Sequence, residues 1–161
     1  MLNTMKKSFF ILTLTVIVCT SLLSGCDALT GKEIGRIPVN QVSTDSNLII
    51  KETSLDLKNG EKISIWSDMD MEYEGNAELR FRMQLLKDGE NLGNLEIDPT
   101  EKNITLGEVK TTLMGKTNWS FAGKNSEITI DGDGKYTFKA ILVSSENPTL
   151  KIMKAEIVLK K

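Results

Sequence analysis

Histidine is absent from the 161 residues, which removes every scheme that takes a base, a proton shuttle or a zinc ligand from imidazole of this chain alone. Cysteine occurs only at positions 19 and 26, so the chain beyond residue 26 has neither thiol nor disulfide and must be held by packing. A thiol-free domain suits a compartment in which stray thiols are oxidised. Aromatic residues make up 6%, few enough that a folded core needs most of them. Carboxylate pairs and Ser, Lys or Tyr arrangements are what remain for catalysis, and none forms a recognisable local motif. The expectation is a protein that is not an enzyme.

Charge is missing from Ser8 to Gly25, directly after Lys6 and Lys7. The apolar centre (Phe9 to Leu12, then Leu14 and Val16 to Val18) is shorter than the about 20 residues a spanning helix needs, and small and polar residues follow it. Basic, apolar and cleavage regions in that order are those of a secretory signal. Its end, Leu23-Ser24-Gly25-Cys26, resembles the lipobox of bacterial lipoproteins. There the small residues fit a peptidase groove and the cysteine thiol takes a diacylglyceryl group. The resemblance covers only the first 26 residues. It implies cleavage before Cys26, a covalent lipid on that residue, and a protein anchored in the bacterial cell envelope on a periplasmic or extracellular face. Two or three acyl chains, at about 0.8 kcal/mol per buried methylene, hold stably where one holds marginally.

Losing Lys6 and Lys7 with the signal leaves 18 basic against 22 acidic residues, a net charge of −4. That balance points away from nucleic acid. Removing residues 1–25 leaves 136, the size of one ordinary domain. Residues 26–47, rich in Gly, Ser, Thr, Asn and Gln and without hydrophobic period, read as a tether, although "GRIPV" could add a short edge strand. The domain is then expected over 48–161.

From Leu48 the period is two. Leu55 and Leu57, then Ile63 and Ile65, flank Asn59-Gly60, a β-hairpin signal. Ala77, Leu79, Phe81, Met83 and Leu85 alternate with polar residues, the pattern of a strand with one buried face. Shorter strands follow around 92–97, 104–106, 109–114, 117–121 and 127–130, and a final pair covers 135–143 and 150–159. About nine strands with turns every ten residues or so predict an all-β sandwich, immunoglobulin-like or jelly-roll. Strand count alone does not separate the two.

Three groups of side chains could carry function. Asp68, Asp70, Glu72 and Glu74 alternate, so one strand face would hold four carboxylates. Such a ladder needs calcium, through Asp68 and Asp70, or cations from a neighbouring strand, with Arg80 and Arg82 available. Asp131 and Asp133 in "IDGDGKYTF" resemble part of a calcium loop, but Ala140 stands where an EF-hand needs a carboxylate, and a hairpin turn explains the glycines better. Trp66 and Trp119, with Asn118 and Lys124 close to the latter, could form a platform for a sugar ring. The reading that results is a lipid-anchored, non-enzymatic binding or accessory module, of inhibitor or immunity type among others, whose partner is an envelope protein. A carbohydrate-binding module is the alternative, and a carboxylate-dependent hydrolase the third class.

Overall fold

The computed structural model describes residues 30–161, and the signal and Cys26 lie outside the described residues. One compact unit covers Glu33–Lys161, with no helix in it. Its strands are β1 (Glu33–Pro38), β2 (Lys51–Leu57), β3 (Lys62–Glu74), β4 (Leu79–Lys87), β5 (Glu90–Ile97), β6 (Ile104–Leu113), β7 (Lys116–Thr129), β8 (Gly134–Ser144) and β9 (Lys151–Lys160). They form an all-β sandwich of two antiparallel sheets, ordered β1-β9-β3-β7-β6 and β2-β8-β4-β5.

The order has a simple origin. β1 pairs with β9, β2 with β8, β3 with β7 and β4 with β5, all antiparallel, so the chain is a long double ribbon folded back on itself. Rolling that ribbon brings β9 onto β3 and β8 onto β4. Nearly every connection along it changes sheet, which is the jelly-roll solution and not the immunoglobulin one. β6 is an addition outside the ribbon, attached to β7 alone.

Period-two sequence places the core. β3 buries Ile63, Ile65, Met69, Met71 and Tyr73, β4 buries Leu79, Phe81 and Met83, and β8 buries Tyr136, Phe138, Ala140 and Leu142. Side chains alternate across a strand, so the polar residues between them face outward. The 77–85 alternation is realised as β4 as expected, and Met69, Met71 and Tyr73 turn inward.

Three expectations change. Residues 33–47 belong to the sandwich: Ile37 and Val39 are buried in the core, and β1 is held along Gly35 to Pro38 by β9. The tether therefore ends before Glu33, because two apolar residues in a polar stretch suffice to seat an edge strand. Asn59-Gly60 does not close a hairpin, since β2 and β3 lie in different sheets. Gly60 does take a left-handed φ of 81°, so the turn residue was read correctly and the partner was not. The "DGDG" stretch is likewise a corner between sheets. The two corners zip together, with Gly60 N donating to Ile130 O (2.8 Å), Asn59 N to Asp133 Oδ1 (2.8 Å) and Gly132 N to Asn59 Oδ1 (2.9 Å).

Two pairs of short expected strands are each one long strand interrupted by a bulge. β6 runs through Gly107, where its register on β7 slips between Leu106 and Glu108 and φ is 63°, an angle that glycine adopts without Cβ strain. β7 slips against β3 at Asn125.

A candidate docking edge

Two of the four β3 carboxylates, Asp68 and Glu72, are neutralised in place. Asp68 accepts from Lys154 Nζ (2.9 Å) and Arg36 Nη1 (3.3 Å), and Glu72 from Lys116 (2.8 Å) and Lys151 (3.3 Å). Arg36 also binds Glu33 and Glu156. Its hydrogen bond holds the Glu33 carboxyl below the usual range, and the lysine at 116 does the same for Glu72. Arg80 and Arg82 play no part, because they lie on β4 in the other sheet, paired with Asp98 and Glu96. Among the described residues no three of Asp, Glu, His or Cys converge in a way that could hold a metal ion. Asp68 and Asp70 stand on the outer face of β3, and Asp131 and Asp133 in the β7–β8 corner, where Asp133 caps Asn59. The structure does not bring the two acidic pairs together.

Nor do the four residues of the expected sugar platform share a surface. Trp66 and Lys124 are cross-strand neighbours, but Asn118 faces Glu72, six positions further along β3 and roughly 20 Å away. Trp119 points to the opposite side of β7, packed against the core, at 5.0 Å from the Phe121 ring. Lys110 Nζ lies 3.8 Å from the Trp119 ring centre and Lys160 Nζ 4.5 Å from that of Trp66, so each ring already carries a cation. Trp66 is 3% exposed. A depression of about 490 Å³ over the four-stranded sheet is lined by Arg82, Gln84, Asn94, Glu96 and Lys139, among others, with no aromatic ring to stack on a sugar.

What stands out is β6. All ten of its residues are exposed, and it pairs on one side only, leaving half of its backbone hydrogen-bonding groups on an open edge. Natural sheets protect such edges with charges, proline, short strands or bulges. The other three edges do this: β1 is short and carries Glu33, Arg36 and Pro38, β2 carries Lys51, Glu52 and Asp56, and β5 carries Glu90, Glu96 and a break in register at Leu85/Leu86 beside Gly93. On β6 the outward row, set by pairing with Lys124, Ala122, Ser120, Asn118 and Lys116 of β7, is Ile104, Leu106, Val109, Thr111 and Leu113. It contains no charge. Val109 is 64% and Leu113 70% exposed. Gly107 breaks the ladder once, but Glu108 to Leu113 runs in regular register beyond it.

The charges that β6 does carry are folded back onto its own domain. Glu108 Oε1 accepts from Trp119 Nε1 (2.7 Å) and from Lys102 Nζ (3.0 Å), which together hold its carboxyl below the usual range. The Lys102 side chain is only 6% exposed, and its ammonium lies 3.8 Å from the Phe121 ring centre. The Lys102 stem packs over Gly123, where an added Cβ would come within 2.6 Å of it. Asn125, the bulged residue of β7, clasps the loop before β6. Its Nδ2 donates to Glu101 O (2.7 Å) and Asp98 O (3.1 Å), and its Oδ1 accepts from Ser67 Oγ (2.6 Å). The edge is thus rigidly supported from behind and bare in front. At its end Met114 and Gly115 form a two-residue turn with φ of 52° and 84°, and Met114 is 96% exposed.

Sequence reasoning did not single out this edge. The only local sign was the alternation at Ile104, Leu106, Val109, Thr111 and Leu113, with its parity broken at Gly107, and alternation of that kind reads as a half-buried strand wherever it occurs. No protein-family model matches the chain, and no curated protein matches its sequence.

Proposed function

We propose that this protein is a lipid-anchored lipoprotein of the bacterial envelope that works as a non-enzymatic protein-binding or accessory module and receives its partner by strand addition along β6. The observation that carries the reading is the fully exposed β6 edge, whose outer row of side chains holds no charge, on a sandwich whose other edges carry charges, proline or a break in register. Strand addition uses main-chain hydrogen bonds for affinity and alternate side chains for specificity, and β6 offers both. The anchor follows from the lipobox resemblance at Leu23 to Cys26. Five glutamates have carboxyl titrations lowered by neighbouring cations, which suits charge neutralisation.

The chain enters the sandwich at Glu33, seven positions after Cys26, and Glu33 lies beside Lys160, close to the Lys62 end of β3. Leu113 and Met114 lie at the other end, where Lys116 faces Glu74. Thirteen residues of β3 separate the two ends, about 40 Å at strand rise. A lipid on Cys26 would thus be joined to the sandwich through its Glu33 end.

A photo-crosslinking residue at Val109, in the full chain in its own envelope, tests this. One dominant protein adduct is expected, abolished by Leu113→Lys and absent when the crosslinker is moved to Lys139 on the other sheet. Equal labelling from both positions would remove β6 from the proposal. Separately, Cys26→Ala should release the protein from the membrane fraction, and persistent acyl labelling of that variant would refute the anchor.

A further inference from the structure

We infer that the strand received by β6 is β6 of a second copy of this chain, paired antiparallel across a two-fold axis at Thr111. The inference rests on β6 being the docking edge and goes further by naming its occupant. Across such an axis residues on the same sheet face meet, so the central pair is one residue opposite its own copy. Of the centres in the regular segment beyond the bulge, Glu108 sets like charges opposite each other, and Thr112 and Leu113 place Val109 and Thr111 respectively opposite Gly115 of the second copy, which has no side chain to pack against. Centring on Lys110 sets two lysines directly opposite each other, which is unfavourable. Centring on Val109 drives Gly107, at the bulge, against Thr111 of the second copy and breaks the ladder on both sides.

Centring on Thr111 has none of these faults. Val109 then faces Leu113 of the second copy and Leu113 faces its Val109, while Thr111 faces Thr111, all on the uncharged outer row. On the other side Lys110 faces Thr112 and no like charges meet. The exposed apolar residues are therefore complementary to themselves, with β-branched, aliphatic and Thr-Thr cross-strand pairs of the kinds that stabilise sheets. An isologous two-fold contact of this sort closes and does not propagate into a fibre. It joins two five-stranded sheets into one continuous sheet, with the two Glu33 ends at its far extremities.

The test uses the full chain extracted from its membrane in mild detergent. Thr111→Cys should give an oxidised, disulfide-linked dimer, because directly opposed Cα atoms at about 4.5–5.5 Å are within bridging reach, whereas Thr105→Cys, outside the overlap, should not. Thr111→Lys and Thr111→Glu should each weaken self-association by about tenfold, equivalent to 1.4 kcal/mol, and an equimolar mixture of the two should restore the dimer. Crosslinking of Thr105→Cys as readily as Thr111→Cys, or failure of the mixture to restore pairing, would overturn the two-fold at Thr111. A monomeric wild type whose Val109 crosslinker still captures a different chain would overturn self-pairing and leave the docking edge standing. Absence of both would remove the edge as well.

Discussion

Asn125 shows how a single bulged residue sets the shape of the docking edge. Its amide has two N–H donors, engaged by Glu101 O and Asp98 O, and its carbonyl oxygen takes the hydroxyl of Ser67, which is 1% exposed. Replacing it by alanine removes these bonds, each contributing about 0.5–1.5 kcal/mol net, and leaves the buried Ser67 hydroxyl unpaired at about 1–3 kcal/mol. Asn125 itself is only half-buried, so water recovers part of that loss, and the expected cost is about 2 kcal/mol. Asn125→Asp is nearly isosteric but turns two donors into acceptors facing two carbonyl oxygens, so it should cost more than alanine does. Equilibrium urea unfolding followed by tryptophan fluorescence measures both, with an unchanged slope as the check that only stability moved. In a double-mutant cycle Asn125→Ala and Ser67→Ala should couple by about 0.5–1 kcal/mol. An aspartate tolerated as well as the native amide, or strict additivity with Ser67→Ala, would refute the clasp.

Gly123→Ala should destabilise by about 1–3 kcal/mol, because its Cβ would meet both the Lys102 stem and, at 2.9 Å, the backbone oxygen of Ile104, and urea unfolding would show it. Met114→Asn should stabilise by about 0.5–1 kcal/mol, since asparagine takes the left-handed angle of a two-residue turn more readily; a lower urea midpoint would contradict this. For pH, Glu33, Glu61, Glu72, Glu108 and Glu127 all have lowered folded values. Their contribution is present above the unfolded glutamate value of about 4.3 and is lost as pH falls through the folded values. The urea midpoint should therefore drop between pH 5 and pH 3. It should stay flat from pH 6 to 8, where a chain without histidine has few groups to titrate, and a steep change in that upper window would show that a group outside these five controls stability.

Strand content and buried faces were legible in the sequence because they depend on residues two apart. The alternation of Leu79, Phe81 and Met83, and of Met69, Met71 and Tyr73, states directly which side faces the core. Asn59-Gly60 illustrates the limit of local reading: the turn geometry was dictated locally, but whether the chain returns beside itself or crosses to the other sheet depends on β8 and β7, more than fifty residues away. The sugar platform failed for a related reason. Trp119 and Asn118 are neighbours in sequence and therefore on opposite faces of a strand, and only the placement of β7 between β3 and β6 shows which face is the core.

What the sequence alone determined is the want of imidazole anywhere and of thiol or disulfide beyond residue 26, hence a domain held by packing, and an all-β fold, each a consequence of composition or short-range period. The jelly-roll order, the cations that pair with Asp68 and Glu72, and above all the exposure of β6 were decided by tertiary structure. The physical reason is that exposure belongs to position in a sheet and not to a strand's own residues: with one more strand outside it, the row Ile104, Leu106, Val109, Thr111 and Leu113 would be half-buried, and as the last strand it is an open edge.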